Sequence, residues 1–332
     1  VRKVVMLSLL GLLTSAGTVT GAPVSNPIAP GSADPWVVCY QGQYYYTCTT
    51  ARNITLWTAP RLSELGLGEG RVVFTPPEGT AYSHNLWAPE LHQWGDRWYI
   101  YFAADDGQDR NHRMYVLGSE GSDPMGPYNF LGKISTQDDQ WAIDGSVFEW
   151  QGERYFCWSG WDAPPRHGQR LYLARMTSPT TLAEPRVEIS EPDLPWELYE
   201  YQVNEGAQVI VSGGTVHIFY SANPYWRVEY CLGRLTLRGD DPLAEGAWEK
   251  APWPVFWRAN GVDGVGHGCF FTSPDGTETW VAYHGHHGER RGNWIPRDFR
   301  AQPIAFDANG YPVLGEPVAS GKEIPPPSGE LP

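Results

Sequence analysis

Four stretches of this chain place a residue able to do chemistry eight positions ahead of a turn glycine, and an aromatic strand follows each turn. The pairs are Asp34 with Gly42, Trp87 with Gly95, Asp144 with Gly152 and Glu205 with Gly213. A fifth copy, His267 with Gly276, is one residue longer, and the glycines recur at spacings of 53, 57, 61 and 63 residues. That is the period range of propeller blades. If the copies are equivalent, Asp34, Trp87, Asp144, Glu205 and His267 hold one position in five units. Closing the units around an axis turns three carboxylates, an indole and an imidazole toward one another.

The stretches ahead of the turns read DPWVVCYQG, WAPELHQWG, DGSVFEWQG, EGAQVIVSG and HGCFFTSPDG, and those after them YYYTC, RWYIYF, RYFCW, TVHIFY and TWVAY. β-Branched and aromatic residues in such runs fit a half-buried pleated surface. A third strand follows in most copies (113–119, 170–176 and 229–236), and the fifth unit continues at 300–306. Gly and Pro make up 66 of 332 residues, which suits many short strands joined by turns. Only Pro60 to Gly70 has room for a short helix. The expected fold is all-β, a five-bladed β-propeller over residues 23–320; a β-sandwich with accidental spacing is the alternative.

Arg2 and Lys3 precede an apolar run from Val4 to Leu13 and small residues through Ala22, the pattern of a secretory signal over residues 1–22. The run is too short to span a bilayer, so the expected protein is secreted, without a membrane partner. Residues 321–332 read as a proline-rich tail, extended or frayed. A net charge of −14 opposes binding to a nucleic-acid backbone. Cys39 and Cys48 flank the first turn in poor register for a disulfide, and Cys157, Cys231 and Cys269 sit in apolar strands as buried thiols. His284, His286 and His287 look like a zinc cluster, but no Cys, Asp or Glu spacing frames them, which favours a solvated or substrate-facing loop.

Hydrolysis of a glycosidic bond needs two carboxyl groups, one to protonate the leaving oxygen and one to activate water or attack the sugar carbon. Asp34, Asp144 and Glu205 supply one more than that. A third carboxylate close by raises its neighbour's proton affinity. Taken singly, each acid before Pro or Gly reads as a turn or cap residue; their shared place in the repeat is what points to catalysis.

The motifs ADPWVV (33–38), WAPEL (87–91), IDGSVFEW (143–150), NEGAQVI (204–210), GHGCFFTSPDG (266–276) and RAQPIAFDANGYPV (300–313) resemble glycoside hydrolase family 43. Its members are five-bladed propeller arabinofuranosidases, xylosidases and arabinanases. The resemblance implies Asp34 as general base, Glu205 as general acid and Asp144 as the group that tunes and orients the acid. It implies inversion of configuration, for which carboxyl separations of roughly 6.5–9.5 Å are usual. It also implies that His267 helps hold water, or a calcium or sodium ion coordinated mostly through waters, on the axis, with no cofactor needed for the chemistry; a core histidine bonded to backbone is the alternative. The family's sugar-holding arginine falls on Arg297, with Arg300 as competitor. Trp87 and Trp161 are expected to stack on sugar faces, and His84 and Asn85 are weaker pocket candidates.

The motif wording is closer to the exo-acting arabinofuranosidases than to the xylosidases. The expectation is a monomer that removes terminal α-L-arabinofuranosyl units from an arabinose-containing plant polysaccharide or oligosaccharide. A β-xylosidase or endo-arabinanase with the same acids is the alternative enzyme, and a sugar-binding propeller the alternative without catalysis.

Overall fold

The computed structural model describes residues 21–162, 168–292 and 294–331. The expected leader, residues 1–22, falls outside them except for Gly21 and Ala22. The regular elements described are strands and three short 3-10 turns, one of them, Leu62–Glu64, inside the segment read as a short helix.

The strands form five antiparallel blades in chain order. Their innermost strands are Ala33–Tyr40, His84–Trp94, Ala142–Trp150, Asn204–Ser212 and Gly266–Thr272. Each inner strand touches the next, and the fifth touches the first, so the ring is closed. The last blade contributes three strands of its own, Gly266–Thr272, Thr279–His286 and Arg297–Pro303. Its outer edge is covered by residues 28 and 29, where Ile28 N donates to Phe299 O at 2.8 Å and Phe299 N to Ala29 O at 3.0 Å. Asn26 reinforces this closure by bonding both backbone groups of Ala301, at 2.9 and 3.0 Å.

The apolar core divides into five clusters, one in each seam between neighbouring blades. Period-two alternation builds them, since successive strand residues point to opposite faces. Along Glu153–Gly160, Tyr155 and Cys157 pack toward the fourth blade, while Phe156 and Trp158 pack toward the second. The five cysteines are free thiols, and Cys39 stands opposite Tyr44 in the first hairpin.

The C-terminal segment is extended, as expected, but it is docked rather than frayed. Glu323 and Ile324 pair with Ser25 and Val24. Leu62 N donates to the buried Glu330 carboxyl at 2.9 Å, and Ser328 N donates to Glu278 at 3.0 Å.

Gly145 shows how tightly the second and third blades meet. A Cβ there would lie 2.1 Å from Phe156 Cζ and 2.8 Å from Met114 Cε. Overpacking of this kind costs about 1–3 kcal/mol. Gly145→Ala should therefore lower the melting temperature by several degrees in a thermal scan; an unchanged midpoint would mean that the seam yields freely.

Candidate active site

Each inner strand carries a register break near its start: Ala33/Trp36, Trp87/Glu90, Ile143/Ser146, Glu205/Gln208 and Gly266/Cys269. The residue just inside each break has a left-handed backbone: Asp34 (φ 56°), Ala88 (φ 43°), Asp144 (φ 54°), Gly206 (φ 56°) and His267 (φ 47°). These five are the true structural equivalents. Trp87 and Glu205 stand one residue earlier, level with Ala33, Ile143 and Gly266. The slip arises in the turns, where glycine is the second residue in Gln41–Gly42 and Gln151–Gly152 but the first in Gly95–Asp96 and Gly213–Gly214. In a regular strand a slip of one residue would send a side chain to the opposite face. The left-handed residue breaks that alternation, and both positions of the third blade, Ile143 and Asp144, line the same cavity.

That cavity has a volume of about 640 Å³ and takes lining residues from all five blades, Asp34, Trp87, Asp144, Glu205, His267 and Arg297 among them. Holding non-glycine residues at positive φ costs energy and persists where the surroundings over-determine it. Here the surroundings do so across blades. The Thr49 hydroxyl donates to Asp34 Oδ2 at 2.6 Å and accepts the Ala88 N–H at 2.8 Å. The Gly206 N–H donates to Asp144 Oδ2 at 3.1 Å, and the His267 N–H donates to the Ser221 hydroxyl at 2.7 Å.

Asp34 is a buried carboxylate held in its charged form. Burial alone would push its pKa up, but Arg297, His267 and His284 together outweigh burial and hold it well below the usual carboxylate range. Arg297 donates to Oδ1 at 2.9 Å, and the guanidinium is itself sandwiched against the Tyr225 ring at 4.1 Å. His284 accepts the Asp34 backbone N–H on Nδ1 at 3.2 Å. Burial pushes this imidazole down to about 3, so it is a neutral acceptor at ordinary pH.

Asp144 is in the opposite condition. Burial, reinforced by the charges of Glu205, Asp34 and Glu90, raises its pKa well above the ordinary value, with the Gly206 N–H opposing. Like charges in one buried site resist joint ionisation, and Glu205 is the largest of the charges that favour the protonated form of Asp144. The sequence expectation placed the raised proton affinity on Glu205; the raised affinity in the structure is that of Asp144, with Glu205 as the largest charge behind it. Tyr230 donates its hydroxyl to Glu205 Oε1 at 2.9 Å, and burial keeps that phenol protonated. Its ring stacks on His284 at 5.4 Å, which joins the surroundings of Glu205 to those of Asp34.

His267 sits between the carboxylates, with Nδ1 at 3.5 Å from Asp34 Oδ1 and 3.9 Å from Asp144 Oδ2. Trp87 lines the cavity and is backed by His112, stacked at 4.0 Å and held by the buried Asp105 at 3.1 Å. Trp161 is not among the lining residues; it stacks at 4.8 Å behind Trp141, which is. His84 is exposed, and Asn85 turns its amide to Asp105 at 3.0 Å; neither lines the cavity. Of the two arginines weighed, Arg297 reaches Asp34, whereas Arg300 is buried against Val318 and Ser320.

The histidine cluster is not a loop motif. His284 and His286 belong to the strand Thr279–His286, and the three rings part company: His284 to Asp34, His286 to the Tyr225 carbonyl and His287 to Asp298. Thr49, His284, Tyr230, Trp141 and Tyr225 are among the site residues whose roles sequence reasoning missed. Only His284 carried a signal, its place directly after TWVAY, in phase with the buried Trp280 and Ala282.

A water-accessible cavity with one carboxylate held ionised, a second raised in proton affinity beside a third, and walls of tryptophan and tyrosine defines a hydrolase of glycosides. The chain belongs to glycosyl hydrolases family 43, whose model matches residues 24–312. It is 33% identical over 335 residues to an extracellular exo-α-(1→5)-L-arabinofuranosidase of Streptomyces avermitilis, covering 95% of this chain and 69% of that protein. It is 34% identical to α-L-arabinofuranosidase B of Pyricularia oryzae over 92% of this chain and 66% of that protein. The crystal structure of an α-L-arabinofuranosidase from Lactobacillus brevis superposes with a TM-score of 0.84 at 31% identity, over 90% of this chain and 98% of that one.

The residues present do not form a direct cage for an axial calcium or sodium ion. Among the described residues no three His, Cys, Asp or Glu side chains are grouped as ligands, and His267 Nδ1 is turned to two carboxylates. No step below is routed through such an ion.

Proposed function

We propose that the chain is a secreted, inverting exo-α-L-arabinofuranosidase acting on arabinan or arabino-oligosaccharides. The observation that carries the reading is the meeting of three carboxyl groups in one cavity, Asp34 paired with Arg297 and held ionised, Asp144 raised in proton affinity beside Glu205; in this reading Glu205 holds the proton to be donated. Glu205 gives that proton to the glycosidic oxygen as the bond to the anomeric carbon breaks. Asp34 takes a proton from the water that attacks this carbon from the other side, and the sugar leaves with inverted configuration. Each group ends with the opposite charge, and exchange with bulk water restores both.

The remaining residues serve these two. Arg297 keeps Asp34 ionised, and Thr49 and His284 aim it. Asp144 stands beside the acid as a like charge that favours retention of its proton and, by accepting the Gly206 N–H, holds the backbone beside Glu205. Trp87 and Trp141 offer flat apolar faces to a sugar ring, whose hydroxyls turn to polar groups.

Terminal arabinofuranosyl specificity rests on the named relatives. Export rests on the leader pattern and on the word extracellular in the name of the Streptomyces avermitilis relative. The test is a comparison of nitrophenyl α-L-arabinofuranoside with nitrophenyl β-D-xyloside, followed by products from linear arabinan. Arabinoside turnover should dominate, and arabinose should be the first product. Faster turnover of the xyloside defeats the sugar assignment, and early release of oligosaccharides defeats the exo assignment.

A further inference from the structure

The residue immediately before Glu205 is engaged at every polar atom. Asn204 is wholly buried. Its N–H donates to Gln169 O at 3.0 Å, and its carbonyl accepts the Ser159 hydroxyl at 2.9 Å. Its Oδ1 accepts the Ser190 hydroxyl at 2.7 Å, and its Nδ2 donates to Glu197 Oε1 and Val203 O, both at 3.0 Å. Ser159, Gln169 and Ser190 all belong to the third blade or its connections, the blade that carries Asp144. Asn204 therefore ties the backbone of the fourth blade to the third at the seam that separates Glu205 from Asp144.

Glu197, the anchor of this tie, is also wholly buried and lies outside the cavity lining. Beyond Asn204, its carboxylate accepts the Tyr220 hydroxyl at 2.8 Å, the N–H groups of Asp193 and Leu194 at 3.1 and 3.0 Å, and the Lys250 ammonium at 3.0 Å. A buried carboxylate is tolerable only when its lone pairs are filled in this way. Asn204 heads the NEGAQVI motif without a role read for it, and Glu197, Ser190 and Lys250 lie outside every motif weighed above. Such a node is rigid, since losing one donor leaves the others facing an under-compensated buried charge.

We propose that the Glu197–Asn204 node is a positioning device for Glu205. It fixes where the fourth blade's backbone enters the register break, and so where the proton of the acid is presented to the leaving oxygen. Because the left-handed Gly206 follows at once, a displacement at residue 204 is carried into the Glu205 carboxyl rather than absorbed along a regular strand. The inference rests on the arabinofuranosidase reading above.

The test uses leaving groups. Asn204→Ala is assayed on an arabino-oligosaccharide, whose sugar leaving group needs protonation, and on dinitrophenyl α-L-arabinofuranoside, whose leaving group needs little. Misplacement of a general acid by about 1 Å costs on the order of 10²-fold, within the full worth of acid catalysis. The expected result is a fall in kcat of roughly 10- to 100-fold on the oligosaccharide and less than about threefold on the activated substrate, with the alkaline limb of the pH profile displaced. Equal losses on both substrates, or no loss on either, overturn the proposal and leave a purely structural node. If Asn204→Ala fails to fold, Ser190→Ala, which removes one donor to Asn204 Oδ1, is judged by the same split in kcat. Wild-type inactivity on both arabinosides is a different failure: it defeats the arabinofuranosidase reading, and this inference with it.

Discussion

Glu205→Gln should lose on the order of 10²–10⁴-fold in kcat on an arabino-oligosaccharide while the melting temperature stays close to that of the parent. The glutamine carbonyl can still accept the Tyr230 hydroxyl, so the local hydrogen bond survives. What disappears is the transferable proton. The neighbouring carboxyl changes too: without the charge of Glu205, the proton affinity of Asp144 falls, although burial still holds it above the ordinary range. The alkaline limb of the kcat profile, which reports loss of the proton held by the acid, should therefore vanish into a low residual rate. A sugar-binding propeller would show neither change, because it has no rate to lose. Steady-state kinetics on one oligosaccharide, with circular dichroism to confirm folding, checks this. Turnover within a few-fold of the parent would remove Glu205 from the role of acid.

Asp34→Asn should be as damaging for a different reason. An amide cannot accept the proton of the attacking water, and the loss is again on the order of 10²–10⁴-fold in kcat, now on oligosaccharide and activated aryl arabinoside alike. The leaving group cannot compensate for a missing base, so the two substrates separate this variant from Glu205→Gln. In the parent, the base works only when ionised. Arg297, His267 and His284 hold the Asp34 pKa well below its usual range against the opposing pull of burial. The acid limb of kcat/KM due to this group therefore falls below about pH 4, the ordinary carboxylate value, with activity lost as pH drops through the depressed pKa. Asp34→Asn also leaves Arg297 facing a neutral amide at 14% side-chain exposure, so some loss of stability accompanies the loss of rate. Rates that split by leaving group in Asp34→Asn, as they should in Glu205→Gln, would contradict the assignment of the base.

The wheel shape and its hub were legible in the chain because they follow from local rules repeated five times. Turn glycines at positive φ and aromatic runs with period two recur in each blade, and that recurrence placed the acids around a common axis. The exact equivalence was not legible, because it depends on which of two turn residues is the glycine. Gln41–Gly42 and Gly95–Asp96 are both good turns, yet they displace the inner strand by one residue relative to the repeat. Left-handed Asp34, Asp144 and His267 compensate, and no composition or periodicity reports a backbone held there by contacts from another blade.

Contacts between blades also explain the other differences. His284 reads as one member of a polar HGHH run but is the neutral partner of Asp34, 250 positions away. Trp161 and Trp141 are equally aromatic in sequence; stacking decides which of them faces the cavity. Trp87 and Arg297 were recognised through motifs whose spacing survives folding. The docked tail is held by several distant partners, among them the Glu330 carboxyl on the Leu62 N–H, a pairing across 268 positions that local sequence cannot announce.

The central claim is that two carboxyl groups on opposite sides of a bound sugar cleave its bond through water. Proton NMR of the first minutes of hydrolysis of an α-L-arabinofuranoside tests it most directly, by reading the anomeric signal before mutarotation. The account predicts that β-L-arabinofuranose appears first and the α anomer only later. Initial release of the α anomer would require a covalent sugar–enzyme intermediate and would contradict Asp34 as a base acting through water.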